Sequence, residues 1–403
     1  MSVTIACTGG GTGGHVFPGI AVIDELEQLT SRNELRVVWI GSGKEIERKI
    51  TDRFGIAYYA VPSGKLRRYF SLQNFLDAFK LGAGIVASLF LLKRLDAKVL
   101  FSKGGYVAVA PVIAARLLKI PILTHESDRD PGLATRIAAR FADTILLPYE
   151  ATRAEYFTSA GDSSDVQSAG RAESSAGRRP GKRPGKWSGR RVVVSGNPVR
   201  AELFDGDAER GRELLQLPSD APIVLVLGGS QGARQVNQLV AGILPQLLEE
   251  AVVVHQMGQL DYRASENPRY ITADLFHAEF PHILAAADVI ISRAGAGTLW
   301  ESAVLGKPSI LIPLGGESSR GDQVRNARLF AERGAALVLE GETLNPESLL
   351  KYTQGLLQNK SEREAMGRAA AELCPADAAE KIAELIYSYA VHVDTASKER
   401  ESK

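Results

Sequence analysis

Short β-branched runs and segments with apolar residues at helical spacing alternate along the 403 residues, and the rhythm runs twice. The first series is VTIACT (Val3 to Thr8), RVVWIG (Arg36 to Gly41), KVLFS (Lys98 to Ser102) and TILLP (Thr144 to Pro148). The second starts after Pro218 with IVLVLGG (Ile223 to Gly229), VVVHQ (Val252 to Gln256), DVIIS (Asp288 to Ser292) and SILIP (Ser309 to Pro313). Strands separated by helices predict a parallel sheet, so each series reads as one doubly wound, Rossmann-like α/β domain. The expected division is 1–200, 201–375, and a closing part 376–403 made of an amphipathic helix (Ala376 to Ala390) and a charged tail that should fray. Between 158 and 191 the composition shifts to Gly, Ser, Ala, Arg and Lys, including RRPGKRPGK, which has too little apolar surface to order itself. We expect a disordered insertion there.

Composition narrows the classes. Apolar residues are 45% and charged residues 24%, as in globular proteins, and a net charge of +1 argues against a surface that coats nucleic acid. Cys7 and Cys374 lie near opposite ends, and the N-terminus lacks the basic start and long apolar run of a secretory signal, so a reducing cytoplasm is expected. The longest apolar run, Leu81 to Leu92, falls short of the roughly 20 residues needed to span a bilayer.

The candidate chemistry sits at glycine-rich junctions. GGGTGGH (Gly9 to His15), KGGY (Lys103 to Tyr106) and GGSQGAR (Gly228 to Arg234) each follow a predicted strand and precede a helix. There, exposed backbone N–H groups and the positive end of the helix dipole favour an anion, which points to phosphate. One such loop could be a simple tight turn; three at strand ends make that the weaker reading. The first loop also fits GxGxxG, but the second strand ends in Gly41 and Ser42 rather than the acidic residue that a dinucleotide ribose needs. GGSQGAR lacks the Lys-Ser/Thr of a P-loop. An isolated His15 would be read as a helix cap, but in this constellation it becomes a candidate base. In SRAGAGTLWE (Ser292 to Glu301) the Glu301 carboxylate follows a small-residue turn by one helical turn and suits ribose hydroxyls. Asp322 and Gln323 open a later helix, where such groups suit sugar hydroxyls or simply helix entry.

With these residues assembled, the chain resembles the MurG family. The carriers are GGGTGGHVFPGIA (Gly9 to Ala21), GGYVAVAP (Gly104 to Pro111), HES followed by PGL (His125 to Leu133), SGNPVR (Ser195 to Arg200), GGSQGAR and SRAGAGTLWE. The resemblance implies two Rossmann-like domains facing a cleft, the GT-B fold, with a final helix that returns to the first domain. It also implies transfer of N-acetylglucosamine from UDP-GlcNAc to the 4-hydroxyl of undecaprenyl-diphosphate-linked N-acetylmuramyl-pentapeptide, lipid I. By motif, Ser230 and Arg200 would meet the donor diphosphate, with Ala296, Gly297 and Thr298 supplying backbone donors. Glu301 would hold the ribose, Gln323 the sugar hydroxyls, and the backbone at His277 the uracil. Thr12, Gly13 and Gly14 would border donor sugar and acceptor diphosphate, while His15, Tyr106, His125 and Glu126 would face the acceptor.

The implied chemistry is a single inverting displacement. His15 would accept the hydroxyl proton, and fixed donors would stabilise the departing phosphate. No cofactor is required for that role; Mg2+ is compatible with a diphosphate, but no metal-ligand spacing indicates it. Where many members have Asn after HEQ, this chain has Asp128 after Ser127. Either the acceptor contact differs there, or Asp128 shares base duty with His15; Glu126 and Asp128 thus join it as catalytic candidates. Lys103, also unusual, could add a phosphate contact. Lys65, Arg67, Arg68, Tyr69, Phe70 and Phe75, then the run to Leu92 with Lys93 and Arg94, suit an anionic membrane surface, although a core helix with a basic entrance fits equally. The expected place is therefore the cytoplasmic face of a bacterial membrane, peripherally bound. Two other readings remain open: a sugar-nucleotide 2-epimerase, which shares the fold, and a sugar-nucleotide-binding protein without catalysis.

Overall fold

A computed structural model describes residues 3–10, 13–30, 34–64, 72–156, 190–217, 221–229, 232–315 and 321–401. Thr12, Ser230, the basic stretch Lys65 to Phe70 and nearly all of the 158–191 insertion lie outside the described residues. The exceptions in that insertion are Arg190 and Arg191, and Arg191 already opens a strand.

The first half runs β1 (Val3–Thr8), α1 (Gly13–Leu29), β2 (Leu35–Gly41), α2 (Glu45–Arg53), β3 (Ala57–Ala60), α3 (Leu72–Arg94), β4 (Ala97–Ser102), α4 (Val109–Leu117), β5 (Ile122–His125), α5 (Leu133–Ala138), β6 (Thr144–Leu147), α6 (Glu150–Tyr156) and β7 (Arg191–Val194). Its seven strands are ordered β3-β2-β1-β4-β5-β6-β7, with β1 paired in parallel to both β2 and β4. The second half runs α7 (Ala208–Leu214), β8 (Ile223–Leu227), α8 (Arg234–Glu250), β9 (Val252–Gln256), β10 (Tyr270–Ala273), α9 (Phe280–Ala286), β11 (Val289–Ser292), α10 (Ala296–Val304), β12 (Ser309–Leu311), α11 (Asp322–Glu332), β13 (Leu337–Val338), α12 (Pro346–Gln358), α13 (Lys360–Leu373) and α14 (Ala378–Glu401). Its six strands are ordered β10-β9-β8-β11-β12-β13.

Both sheets reverse their winding beside their first strand, between β1 and β4 and between β8 and β11. Helices leave such a point on opposite faces, which opens a crevice at the strands' carboxyl ends. The loops after β1, β4, β8 and β11 are the glycine-rich segments, so all of them border a crevice.

Strand residues such as Ile5, Cys7, Val99 and Phe101 bury against α1 and α14, while Val38, Leu100 and Ile145 bury on the opposite face. α14 returns to the first domain, where Ile382, Ala383, Ile386 and Ala390 are fully buried against α1 and β1. Each of the two isoleucines contributes roughly 1.5–3 kcal/mol by leaving water. The helix does not stop near Ala390 but continues through the charged tail to Glu401. The halves also share a core: Tyr149, Val199 and Leu203 are buried with Trp300 and Phe330 of the second domain.

Candidate active site

The first glycine loop is fixed from three sides. Trp39 Nε1 donates to the Gly9 carbonyl at 3.2 Å. Gly105, with φ of 79°, brings the second loop so close that a Cβ there would sit 2.7 Å from the Gly10 oxygen. From below, the buried Glu47 carboxylate abuts Gly10, where any side chain would collide with it. Glu47 is itself held by Ser42 N–H at 2.7 Å, Ser42 Oγ at 2.8 Å and Tyr58 hydroxyl at 2.8 Å. Only glycine permits this stacking of two backbones. α1 therefore starts at a defined height, with Gly14 on the cleft and His15 next to it, half-buried.

His125 and Glu126, expected to face the acceptor, are turned into the protein. His125 Nε2 lies 2.8 Å from the Gly196 carbonyl, which accepts, so that nitrogen carries the hydrogen. Burial first, and the Lys103 charge second, hold its pKa well below the ordinary value, so the ring is neutral. The Glu126 carboxylate accepts from the backbone N–H groups of Ser127 (2.8 Å), Asp128 (3.1 Å) and Gly132 (2.9 Å), closing the loop 126–132 upon itself. Asp128 accepts from Asn326 Nδ2 of α11 at 3.0 Å, a contact between domains. Tyr106 is half-buried, with Lys44 Nζ 5.9 Å from its ring centroid. Lys103 is not displayed to a phosphate: it is 2% exposed and donates to Ser127 Oγ and, at 3.4 Å, to Asn197 Oδ1.

Between the two domains lies a cleft of about 260 Å³ whose lining includes Gly14, Phe17, Arg200, Gly229, His277, Gly297, Thr298 and Glu301. It thus gathers residues from both domains. α10 begins after Gly295 with no side-chain cap, leaving the first-turn N–H groups of Ala296, Gly297 and Thr298 at the cleft. At Gly297 an added Cβ would meet nothing within 4 Å. Arg200 bridges to Glu301 at 3.2 Å and to Glu202 at 2.6 Å, and its guanidinium lies 4.8 Å from the Phe17 ring centroid on α1. Burial raises the Glu301 pKa, and Arg200 works against that rise. Gln323 Oε1 accepts from Leu314 N–H at 2.9 Å, which places its amide nitrogen beside Gly295.

Sequence reasoning missed several lining residues, among them Gln256, Phe276, Phe280 and Arg53. Gln256 ends β9 and its Oε1 accepts from Phe276 N–H at 3.1 Å, so it shapes the turn that carries His277. A polar residue closing an otherwise apolar strand, VVVHQ, is the signal that could have found it. Among the described residues, no group of three or more His, Cys, Asp or Glu could hold a metal ion.

Two doubly wound domains with glycine turns at both switch points, facing one cleft, define the GT-B fold. The sequence model for the glycosyltransferase family 28 N-terminal domain matches residues 5–147, and that for its C-terminal domain matches 223–384. A Treponema denticola protein named UDP-N-acetylglucosamine–N-acetylmuramyl-(pentapeptide) pyrophosphoryl-undecaprenol N-acetylglucosamine transferase is 39% identical, over 96% of this chain and 97% of that protein. The crystal structure of Acinetobacter baumannii MurG superposes with a TM-score of 0.67 at 24% identity, covering 96% of this chain and all (100%) of that one. The chain belongs to glycosyltransferase family 28, within its MurG family.

The fold is shared more widely. A Neisseria meningitidis UDP-GlcNAc 2-epimerase bound to UDP-GlcNAc superposes with a TM-score of 0.62, covering 96% of this chain and 99% of that one, but at 14% identity. Likeness to the epimerases is thus one of fold alone, and the transferase reading displaces the epimerase alternative.

Proposed function

We propose that the protein transfers N-acetylglucosamine from UDP-GlcNAc to the 4-hydroxyl of the lipid I sugar, with inversion, in peptidoglycan synthesis. The observation that carries this reading is the cleft itself, where the open N-terminus of α10 and the Arg200–Glu301 pair face Gly14 of α1. A diphosphate laid against the α10 N-terminus would gain its backbone N–H groups and the helix dipole. Glu301 would then accept the ribose hydroxyls, and Arg200 would exchange its bond to Glu301 for the diphosphate. Phe276 and Phe280 would flank the uracil at the His277 backbone. Charge growing on the leaving phosphate is met by groups already in place, which is usually the larger share of such catalysis.

On the acceptor side His15 is the base. Its place on the first turn of α1 keeps it beside the cleft while the stacked glycine loops hold its height. Glu126 organises the loop beneath rather than moving a proton, and Asp128, engaged by Asn326, ties that loop to the donor domain.

The lipid acceptor would be reached from a membrane face on α3. Phe79, Val86 and Phe90 are exposed by 65%, 52% and 74%, and their spacing puts them along one side of the helix. Leu117 on α4 is exposed beside exposed Arg116 and Lys119, and exposed Lys80, Lys93 and Arg94 accompany α3. Apolar and basic groups together suit insertion into an anionic interface. Among the described residues no helix is long and apolar enough to cross a membrane, so the contact would be peripheral.

The test is mass spectrometry of products after incubating the protein with labelled UDP-GlcNAc and a short-chain lipid I analogue. Disaccharide product and uridine diphosphate, both dependent on the acceptor, are expected. Donor turnover without acceptor would restore the epimerase, and tight donor binding without turnover would leave a binding protein.

A further inference from the structure

Lys103 follows β4 and its stem runs beneath the first glycine loop, where a Cβ on Gly9 would lie 3.1 Å from Lys103 Cβ. The ammonium meets Ser127 Oγ and Asn197 Oδ1, and Ser127 Oγ in turn donates to Asn197 Oδ1 at 3.0 Å. A positive charge is thus enclosed by three pieces of chain: the end of β4, the loop after β5, and the segment leading from β7 to the second domain. An enclosed charge is tolerated only with a countercharge nearby. Two carboxylates act on Lys103, those of Glu126 and Asp128, while burial pulls its pKa down to about 8. Glu126 is already engaged by three backbone N–H groups. Asp128 has the other end of the chain of contacts: its carboxylate accepts from Asn326 Nδ2, whose Oδ1 accepts from Arg129 N–H at 2.9 Å. Asn326 is fully buried one turn along α11 from Gln323.

We infer that Lys103, through its bond to Ser127 Oγ, is a positioning residue for the transfer step. It holds the loop 126–132 at the height where Asp128 and Arg129 meet Asn326, which couples the acceptor-side loop to the donor-side helix α11. The inference rests on the transferase reading, in which these two sides carry the two substrates.

A double-variant cycle tests it, with Lys103→Met, Asp128→Ala and both together, measured for kcat and donor KM with UDP-GlcNAc and the lipid I analogue. Each single change is expected to lower kcat about tenfold with donor KM within about twofold, and the pair to lose no more than the worse single. A double loss equal to the product of the singles would overturn the coupling through the loop. Ser127→Ala keeps both charges and removes the bridging hydroxyl; it should also lower kcat, and an unchanged kcat would overturn the route through Ser127. Should the unsubstituted protein show no turnover, the transferase reading fails instead, and the coupling is then read from thermal midpoints in the same cycle. There, coupling means that the second substitution costs less than it does alone, and additive losses refute it.

Discussion

At the scale of single residues, the proposed base for the acceptor hydroxyl is His15, which follows the cleft-lining Gly14 on α1. Replacing it with alanine should lower kcat by about 10²–10⁴, the usual share of general-base catalysis, while the donor dissociation constant measured by calorimetry changes little. Comparable losses in both would remove His15 from that role. Glu301 gives the opposite pattern. Burial holds its carboxyl above the ordinary range despite Arg200, so its ionised form costs the folded protein stability. In Glu301→Gln the thermal midpoint should therefore not fall, since Arg200 keeps Glu202, while UDP-GlcNAc affinity drops at least about tenfold through the lost charge-assisted bonds. A lowered midpoint would mean that the pair is structural. Residue types at glycine turns were legible because a stacked backbone admits only glycine, as at Gly105, and a buried carboxylate leaves no room for a side chain at Gly10. The direction of a side chain was not: nothing in HES says that His125 and Glu126 turn inward, because that depends on Gly196 and Gly132 arriving from elsewhere.

At the scale of elements, the long buried strands announce themselves by continuous apolar runs: β1, β2, β4 and β9 fall within a residue of where the pattern puts them, and β8 starts where expected but ends two residues early, at Leu227. The short ones divide: β6, β11 and β12 stand out as TILLP, DVIIS and SILIP, whereas β5 and the two-residue β13 do not, and each of these pairs with a neighbouring strand already in the sheet. Helix α3 shows a different ambiguity. Its apolar run fits a core helix or a membrane face, and the exposure of Phe79 and Phe90 is what the proposed membrane contact rests on. Phe79→Asp and Phe90→Asp should each weaken binding to vesicles with anionic headgroups by about tenfold or more, given the transfer energy of one phenylalanine. Turnover of a water-soluble acceptor analogue should stay unchanged. Vesicle binding indifferent to both substitutions would leave the membrane contact to some other surface.

The whole molecule carries an acid sensitivity shared between its domains. His125 in the first sheet and His255 in the second are buried neutral, and burial holds the former well below its ordinary value and the latter down to about 4. His255 bridges Tyr270 hydroxyl at 2.9 Å and Asn237 Oδ1 at 3.0 Å, tying β9 to β10 and α8. A histidine whose folded pKa lies below its unfolded value near 6.5 takes up a proton on unfolding, so the stability it adds is complete above about 6.5. That stability is lost as the pH falls toward the folded value, and for His255 the interval amounts to about 3 kcal/mol. Urea unfolding at a series of pH values should therefore show a loss between about 6.5 and 4, steeper than one proton could give because His125 titrates in the same direction. His255→Gln removes one of the two protons and should flatten the slope without abolishing it. Because Tyr149 packs on Trp300 across the domains, with ring centroids 5.4 Å apart, the loss in one sheet is felt by the other. An unaltered slope in His255→Gln would place the proton uptake elsewhere, whereas two separated transitions at low pH would mean that the shared cluster does not hold the domains together.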